Sequence, residues 1–219
     1  MFGVEHRAAS VKEGILLHTL IEYLPLDLLG RESAAREHLQ MAAARRIPSV
    51  DESERQRAVD AAARFAASNY ASTIRGRAVR IEREWPFAFA PYTGTLIRGT
   101  LDWLAELDDG TFEIIDYKSA QTPEIDRYVF QIAVYRAAIT HMFQRPVRAG
   151  LIFLGAAEPE PQWIECNIDY ETPLMGLIAC RTKGHFPLSR PAHCRTIGCG
   201  YLNFCHEDES HSGVDSLTE

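Results

Sequence analysis

Two aspartates and a lysine stand close together in a stretch patterned as paired strands. Residues 95 to 107 (TLIRGTLDWLAEL) and 111 to 117 (TFEIIDY) alternate apolar and polar side chains and are rich in β formers. Between them, Asp108-Asp109-Gly110 suits a three-residue hairpin loop with Gly110 left-handed. That register sets Asp102 opposite Asp116, with Cβ atoms roughly 5 Å apart. Lys118 follows Asp116 by two residues and shares its face. Two carboxylates so placed repel and raise each other's pKa unless a cation lies between them. With an ammonium beside them they suit magnesium or manganese, hard ions that prefer oxygen ligands. The lysine could orient or deprotonate a water on the ion, or stabilise charge developing on a phosphate. The bland alternative is an edge hairpin whose charged side chains merely face solvent.

The elements that must hold these residues follow from periodicity. Leu16, Leu17, Leu20, Ile21 and Leu24 recur at helical spacing between Ser10, a candidate N-cap, and Pro25. On the same helix Gly14, His18 and Glu22 form one stripe. Residues 33 to 70, rich in Ala, Arg and Glu and broken at Ile47-Pro48-Ser49, read as two amphipathic helices. Residues 78 to 90 (AVRIEREWPFAFA) return to a strand pattern. After the hairpin come a helix from Pro123 to Phe143, a buried strand over 147 to 155, a strand near 162 to 168 and a helix near 172 to 182. On the first of these, Gln131 and Tyr135 share a face. This order predicts an α/β fold: a mixed central sheet flanked by helices, with a helical insertion over 31–72 after the first helix.

Composition narrows the class. At 219 residues, with 46% apolar and 24% charged side chains, the chain matches a globular domain and not a disordered or fibrous one. The apolar stretch from Gly14 to Gly30 is interrupted by His18, Glu22, Pro25 and Asp27, too polar to cross a membrane. Glu5, Arg7, Lys12 and Glu13 interrupt any secretory core, so a cytoplasmic protein without disulfides is expected. Five acids fall in the tail 206–219, which holds no Lys or Arg, so the net charge of -7 becomes -2 on the remainder. Two arginine-rich stretches, around Arg75, Arg77, Arg80 and Arg83 and around Arg181, Lys183, Arg190 and Arg195, could face a phosphate backbone or be ordinary solvated faces.

Taken in order, Gly14-xxx-His18, Glu84 within EREWPF, Gly99-Thr-Leu-Asp102, Ile115-Asp116-Tyr117-Lys118 and Gln131-xxx-Tyr135 resemble the motif series of the RecB-like branch of the PD-(D/E)XK nucleases. The resemblance spans roughly residues 11 to 155 and looks closest to the nuclease domain of AddA-type helicase-nucleases. It implies a restriction-endonuclease-like core. It also implies that His18, Asp102, Asp116 and the backbone carbonyl of Tyr117 ligate Mg or Mn. Lys118 would then serve the attacking water, Gln131 and Tyr135 would line the site and place the DNA strand, and Glu84 would join the catalytic set. The expected reaction is phosphodiester hydrolysis by an exonuclease in DNA repair, recombination or phage-like processing, with a helicase subunit or domain as partner. The rival classes are a DNA-binding scaffold that kept the fold without the activity, and an interaction protein whose cysteine site is the functional one.

That cysteine site is Cys194, Cys199 and Cys205, with Cys180 as a candidate fourth ligand. Its context resembles the C-terminal iron-sulfur staple of AddB-type relatives, which implies a [4Fe-4S] cluster closing the C-terminus onto the core. The first gap, four residues, departs from the family's usual two, and no cysteine precedes the Gly14-xxx-His18 helix. Zinc held with His193 or His206 and unligated thiols remain open alternatives. Cys166 alternates with apolar residues and reads as core. The expected organisation is a single domain over 1–205, with 180–205 as its Cys-rich segment, followed by the acidic tail 206–219.

Overall fold

The structure is a computed structural model that describes residues 14–92, 95–121, 125–165, 168–185, 190 and 192. Among these, the residues up to Glu171 form one compact unit, and a second begins at Thr172.

The first unit opens with helix α1, described over residues 14–22. Leu16, Leu17, Leu20 and Ile21 are all buried, and each contributes about 1.5–3 kcal/mol of burial, which holds a short helix in place. Helices α2 (Glu32–Arg46) and α3 (Glu52–Ala67) follow. Asp51 caps α3 by accepting from the Ser53 and Glu54 N–H groups at 2.8 and 3.4 Å. A third helix, α4 (Asn69–Arg77), was not legible as an element of its own. Its start signal, Ser68, lies where the pattern of α3 runs out, and Ser68 Oγ accepts from the Ala71 N–H at 3.0 Å. The Glu160 carboxylate takes the Asn69 and Tyr70 N–H groups at the same end.

Strands β1 (Ala78–Tyr92), β2 (Thr95–Leu107), β3 (Phe112–Lys118), β4 (Val147–Phe153) and β5 (Gln162–Ile164) form one sheet in that order. All pairings are antiparallel except β3 with β4, which are parallel and joined through helix α5 (Val129–Phe143). Among the described residues, α5 starts later than its sequence pattern suggests, after a single helical turn at Ile125–Arg127. Strand β5 is also shorter than expected, because only three residues pair with β4.

The loop between β2 and β3 has the expected form. The Leu107 N–H reaches the Thr111 carbonyl at 2.9 Å, and Gly110 turns left-handed with φ 86. Trp103 therefore pairs with Ile115 and Leu104 with Ile114, the register that brings Asp102 to Asp116. Strand β3 lies mid-sheet and Asp116 is only 2% exposed, so the edge-hairpin alternative fails.

Two apolar cores cover the sheet. On one face α1–α4 pack against Trp103, Ala105, Ile115 and Tyr117, and on the other α5 packs against Leu101, Leu104, Phe112 and Ile114. The facing of β1 and β2 changes between the Arg83–Trp103 pair and the Trp85–Leu101 pair: Trp103 belongs to the α1–α4 core and Leu101 to the α5 core. Beyond that row, Phe87 and Phe89 join the core around α5, so the far part of the β1–β2 ribbon bends over that helix. Gly99 allows the bend, since a Cβ there would lie 2.7 Å from the Phe87 ring. The row at the bend contains Glu84 and Asp102.

In the second unit, α6 (Glu171–Lys183) carries Cys180 as a free, half-buried thiol.

Candidate active site

The bend collects the candidate residues. Glu84 of β1, Asp102 of β2 and Asp116 of β3 fall in one row across three neighbouring strands, by continuation of the registers on either side. His18 reaches the row from α1: its Nδ1 lies 3.1 Å from Glu84 Oε1 and 3.6 Å from Asp102 Oδ1. The His18 ring stands edge-on to Tyr117 at 6.0 Å, which limits its orientation. Asp102 Oδ2 accepts the backbone N–H of Tyr117 at 2.7 Å, tying β2 to β3 where their ladder ends.

Asp116 is bound differently. Its Oδ1 accepts from Gln131 Nε2 at 3.0 Å, and the same amide nitrogen lies 2.7 Å from the Tyr135 hydroxyl. Its Oδ2 meets the Lys118 ammonium in a close, charge-assisted ion pair. Lys118 also lies over the ring of Tyr128, 4.3 Å from its centre. Sequence reasoning missed Tyr128, although it stands three residues before Gln131 and thus on the same helical stripe.

Glu84 has a left-handed backbone, φ 47, inside a strand. For a residue with a Cβ this conformation costs about 1–2 kcal/mol. It is found where β1 changes facing and where the Glu84 side chain meets His18, the kind of place where strain is tolerated for a site.

Electrostatics at the corner are unbalanced. Burial, and then the charge of Asp116, push the Asp102 carboxyl up to about 7, against relief from His18 and the Tyr117 N–H. Burial raises Asp116 too, offset in part by Lys118. Burial likewise pushes Tyr135 up to about 12, so it stays a neutral phenol. The ligand atoms of His18, Glu84 and Asp102 all lie within 4.8 Å of one another, the single grouping of this kind among the described residues. An imidazole and acidic oxygens gathered beside a buried Asp116 carboxylate fit a hard divalent cation. Asp116 stands outside the close trio.

Three of the four arginines in the first arginine-rich stretch have internal partners. Arg77 pairs with Asp108 and Asp109, Arg80 with Glu82, and Arg83 donates to the Leu24 carbonyl at 2.5 Å while lying over Trp103. Of the cysteines, Cys166, Cys194, Cys199 and Cys205 lie outside the described residues, as do His193 and His206.

A mixed sheet with helices on both faces and an acidic corner at the end of its central strands defines a restriction-endonuclease-like domain. A family model of the PD-(D/E)XK nuclease superfamily matches residues 3–206, and the chain belongs to that superfamily. It is 30% identical over 164 residues to an ATP-dependent helicase/nuclease subunit from Desulforamulus reducens, a match covering 65% of this chain and 13% of that protein. The chain therefore spans a small part of that relative's length. The crystal structure of a candidate exonuclease from Eubacterium rectale shares the fold, with a TM-score of 0.53 at 13% identity, over 96% of this chain and 77% of the other.

Proposed function

We propose that this chain is a Mg- or Mn-dependent deoxyribonuclease that hydrolyses phosphodiester bonds, acting as an exonuclease in DNA repair, recombination or phage-like processing. One observation carries the reading: acidic side chains from three neighbouring strands meet an imidazole and a held ammonium at one corner, where burial leaves the carboxylates short of positive charge.

In this reading His18, Asp102, Asp116 and the Tyr117 carbonyl hold the cation, and Glu84 supports it through His18. When bound, the cation supplies positive charge that makes water more acidic and offsets charge on the scissile phosphate. The chain's own groups do the rest. Lys118 brings its ammonium to the attacking water and the phosphoryl oxygens, where a fixed cation favours developing negative charge. Gln131 holds Asp116 by one oxygen, leaving the other for the ammonium and the cation. Tyr135, kept neutral by burial, presents a hydroxyl along the path of the DNA strand. The oxygen of water bonds to phosphorus as the bond to the leaving sugar oxygen breaks.

The likeness to a helicase/nuclease subunit supports a helicase as the partner that feeds DNA to the site. Residues 1–205 would act as one RecB-like nuclease domain, with 31–72 an insertion, 206–219 a separate acidic tail, and iron-sulfur or zinc at Cys180, Cys194, Cys199 and Cys205 closing the C-terminal segment. A DNA substrate suits a cytoplasmic setting, and no helix among the described residues is long and apolar enough to cross a membrane.

Asp102→Ala tests the reading. Hydrolysis of linear DNA should fall at least about a hundredfold, as expected when several kcal/mol of charge stabilisation are removed, while DNA binding measured by fluorescence polarisation in EDTA persists. A parent protein that binds DNA but cleaves none with either metal would point instead to the inactive binding module.

A further inference from the structure

We propose that Tyr128 is a positioning residue for Lys118: its ring is the seat that keeps the ammonium at the corner when Asp116 gives its charge to a cation. The proposal rests on the nuclease reading above and concerns a residue outside the motif series.

A lysine is a point charge on a flexible four-carbon stem, whose rotamer entropy resists any single placement. Two groups hold this one. The Asp116 carboxylate is the first, and the second is the Tyr128 ring, 4.3 Å below Nζ. The carboxylate is shared with any cation that binds at the row, so its hold on Lys118 weakens as the site fills. The ring holds no metal ligand; the Arg127 guanidinium also lies over it, but farther off at 5.9 Å, and a ring face attracts an ammonium whatever the state of the carboxylates.

Tyr128 is built to stay where it is. It occupies the N-cap of α5, with its N–H on the Ile125 carbonyl at 2.9 Å and its carbonyl accepting the Ile132 N–H at 3.0 Å. Its side chain is half-buried against the core around α5. Lys118 is anchored from behind as well, its carbonyl accepting the Leu154 N–H at 2.8 Å. Two fixed backbones therefore face each other across the ammonium, and α5 delivers Tyr128, Gln131 and Tyr135 from one stripe: the first to Lys118, the second to Asp116.

The chain has three lysines, Lys12, Lys118 and Lys183, which makes the contact directly observable. In protein carrying carbon-13 at lysine Cε, the Lys118 methylene protons should resonate upfield of the other two lysines through the Tyr128 ring current, with Lys118→Arg assigning the signal. Tyr128→Phe should keep the shift, and Tyr128→Leu should abolish it. In steady-state cleavage with saturating Mn, Tyr128→Phe should match the parent. Tyr128→Leu should lower kcat roughly threefold to thirtyfold, the range that cation–π energies span between exposed and desolvated sites, with KM for DNA unchanged. No upfield lysine in the parent overturns the proposal, and needs neither a variant nor activity. An intact kcat with a raised KM in Tyr128→Leu also overturns it, because the ring would then be stacking on DNA. A parent that shows the shifted lysine but cleaves nothing leaves the seat established and refutes the nuclease reading alone.

Discussion

Asp102 carries the clearest consequence of the corner's unbalanced charge. In the cation-free protein its carboxyl keeps a proton up to about 7, against an ordinary value of 3.8, because burial and the charge of Asp116 oppose ionisation. The folded state thus binds more protons than the unfolded state between those values. The stability this group contributes is full below about pH 4 and is lost as the pH rises through 7. Asp102→Asn removes the titration, so in EDTA the variant should gain on the parent by roughly 2–3 kcal/mol between pH 5 and pH 8, read by urea unfolding at each pH. A difference flat in pH would mean that Asp102 ionises normally. At this scale much was legible: a glycine-ended three-residue loop fixed the register, and the register set Asp102 against Asp116. Glu84 was named from its motif, but its left-handed backbone and its contact with His18 come from the bend in β1, which the alternating pattern of that strand does not show. Tyr128 could have been found by extending the Gln131–Tyr135 stripe one turn backwards.

The bend itself belongs to the elements. Past the Glu84–Asp102 row the β1–β2 ribbon leaves the α1–α4 core and joins the core of α5, and the Phe87 ring occupies the space beside Gly99. Gly99→Ala would press a methyl to 2.7 Å from that ring. It should cost about 1–3 kcal/mol, the usual range for overpacking, and weaken cation binding by tilting β2 at Asp102. Thermal melting and manganese titration of the variant check this, and Phe87→Leu in the same chain should restore both. The strands and α1 were legible because their apolar periods are clean. Helix α4 was not, because it begins just after α3 ends, so its cap hid inside an apparently continuous pattern. The late start of α5 was hidden too, since nothing in Ile125-Asp126-Arg127 marks a separate turn.

At the scale of the molecule, the chain is a nuclease-superfamily domain spanning a small part of a helicase/nuclease relative. Its formal charge is negative, and Arg77, Arg80 and Arg83 are engaged by internal partners, so that stretch offers DNA little free positive charge, whereas Arg181, Lys183 and Arg190 are exposed. Charge counting along the sequence could not show this, because Arg77 meets Asp108 and Asp109 only across the fold. The central claim is that this corner hydrolyses DNA with a divalent cation and Lys118. The most direct measurement is cleavage of end-labelled linear DNA and of closed circular DNA with magnesium, manganese or EDTA, comparing the parent with Lys118→Ala. The account predicts cation-dependent loss of linear DNA by the parent, protection of the circle, and loss of cleavage in EDTA and in the variant. Cleavage that persists in EDTA, or that Lys118→Ala leaves unchanged, would contradict it.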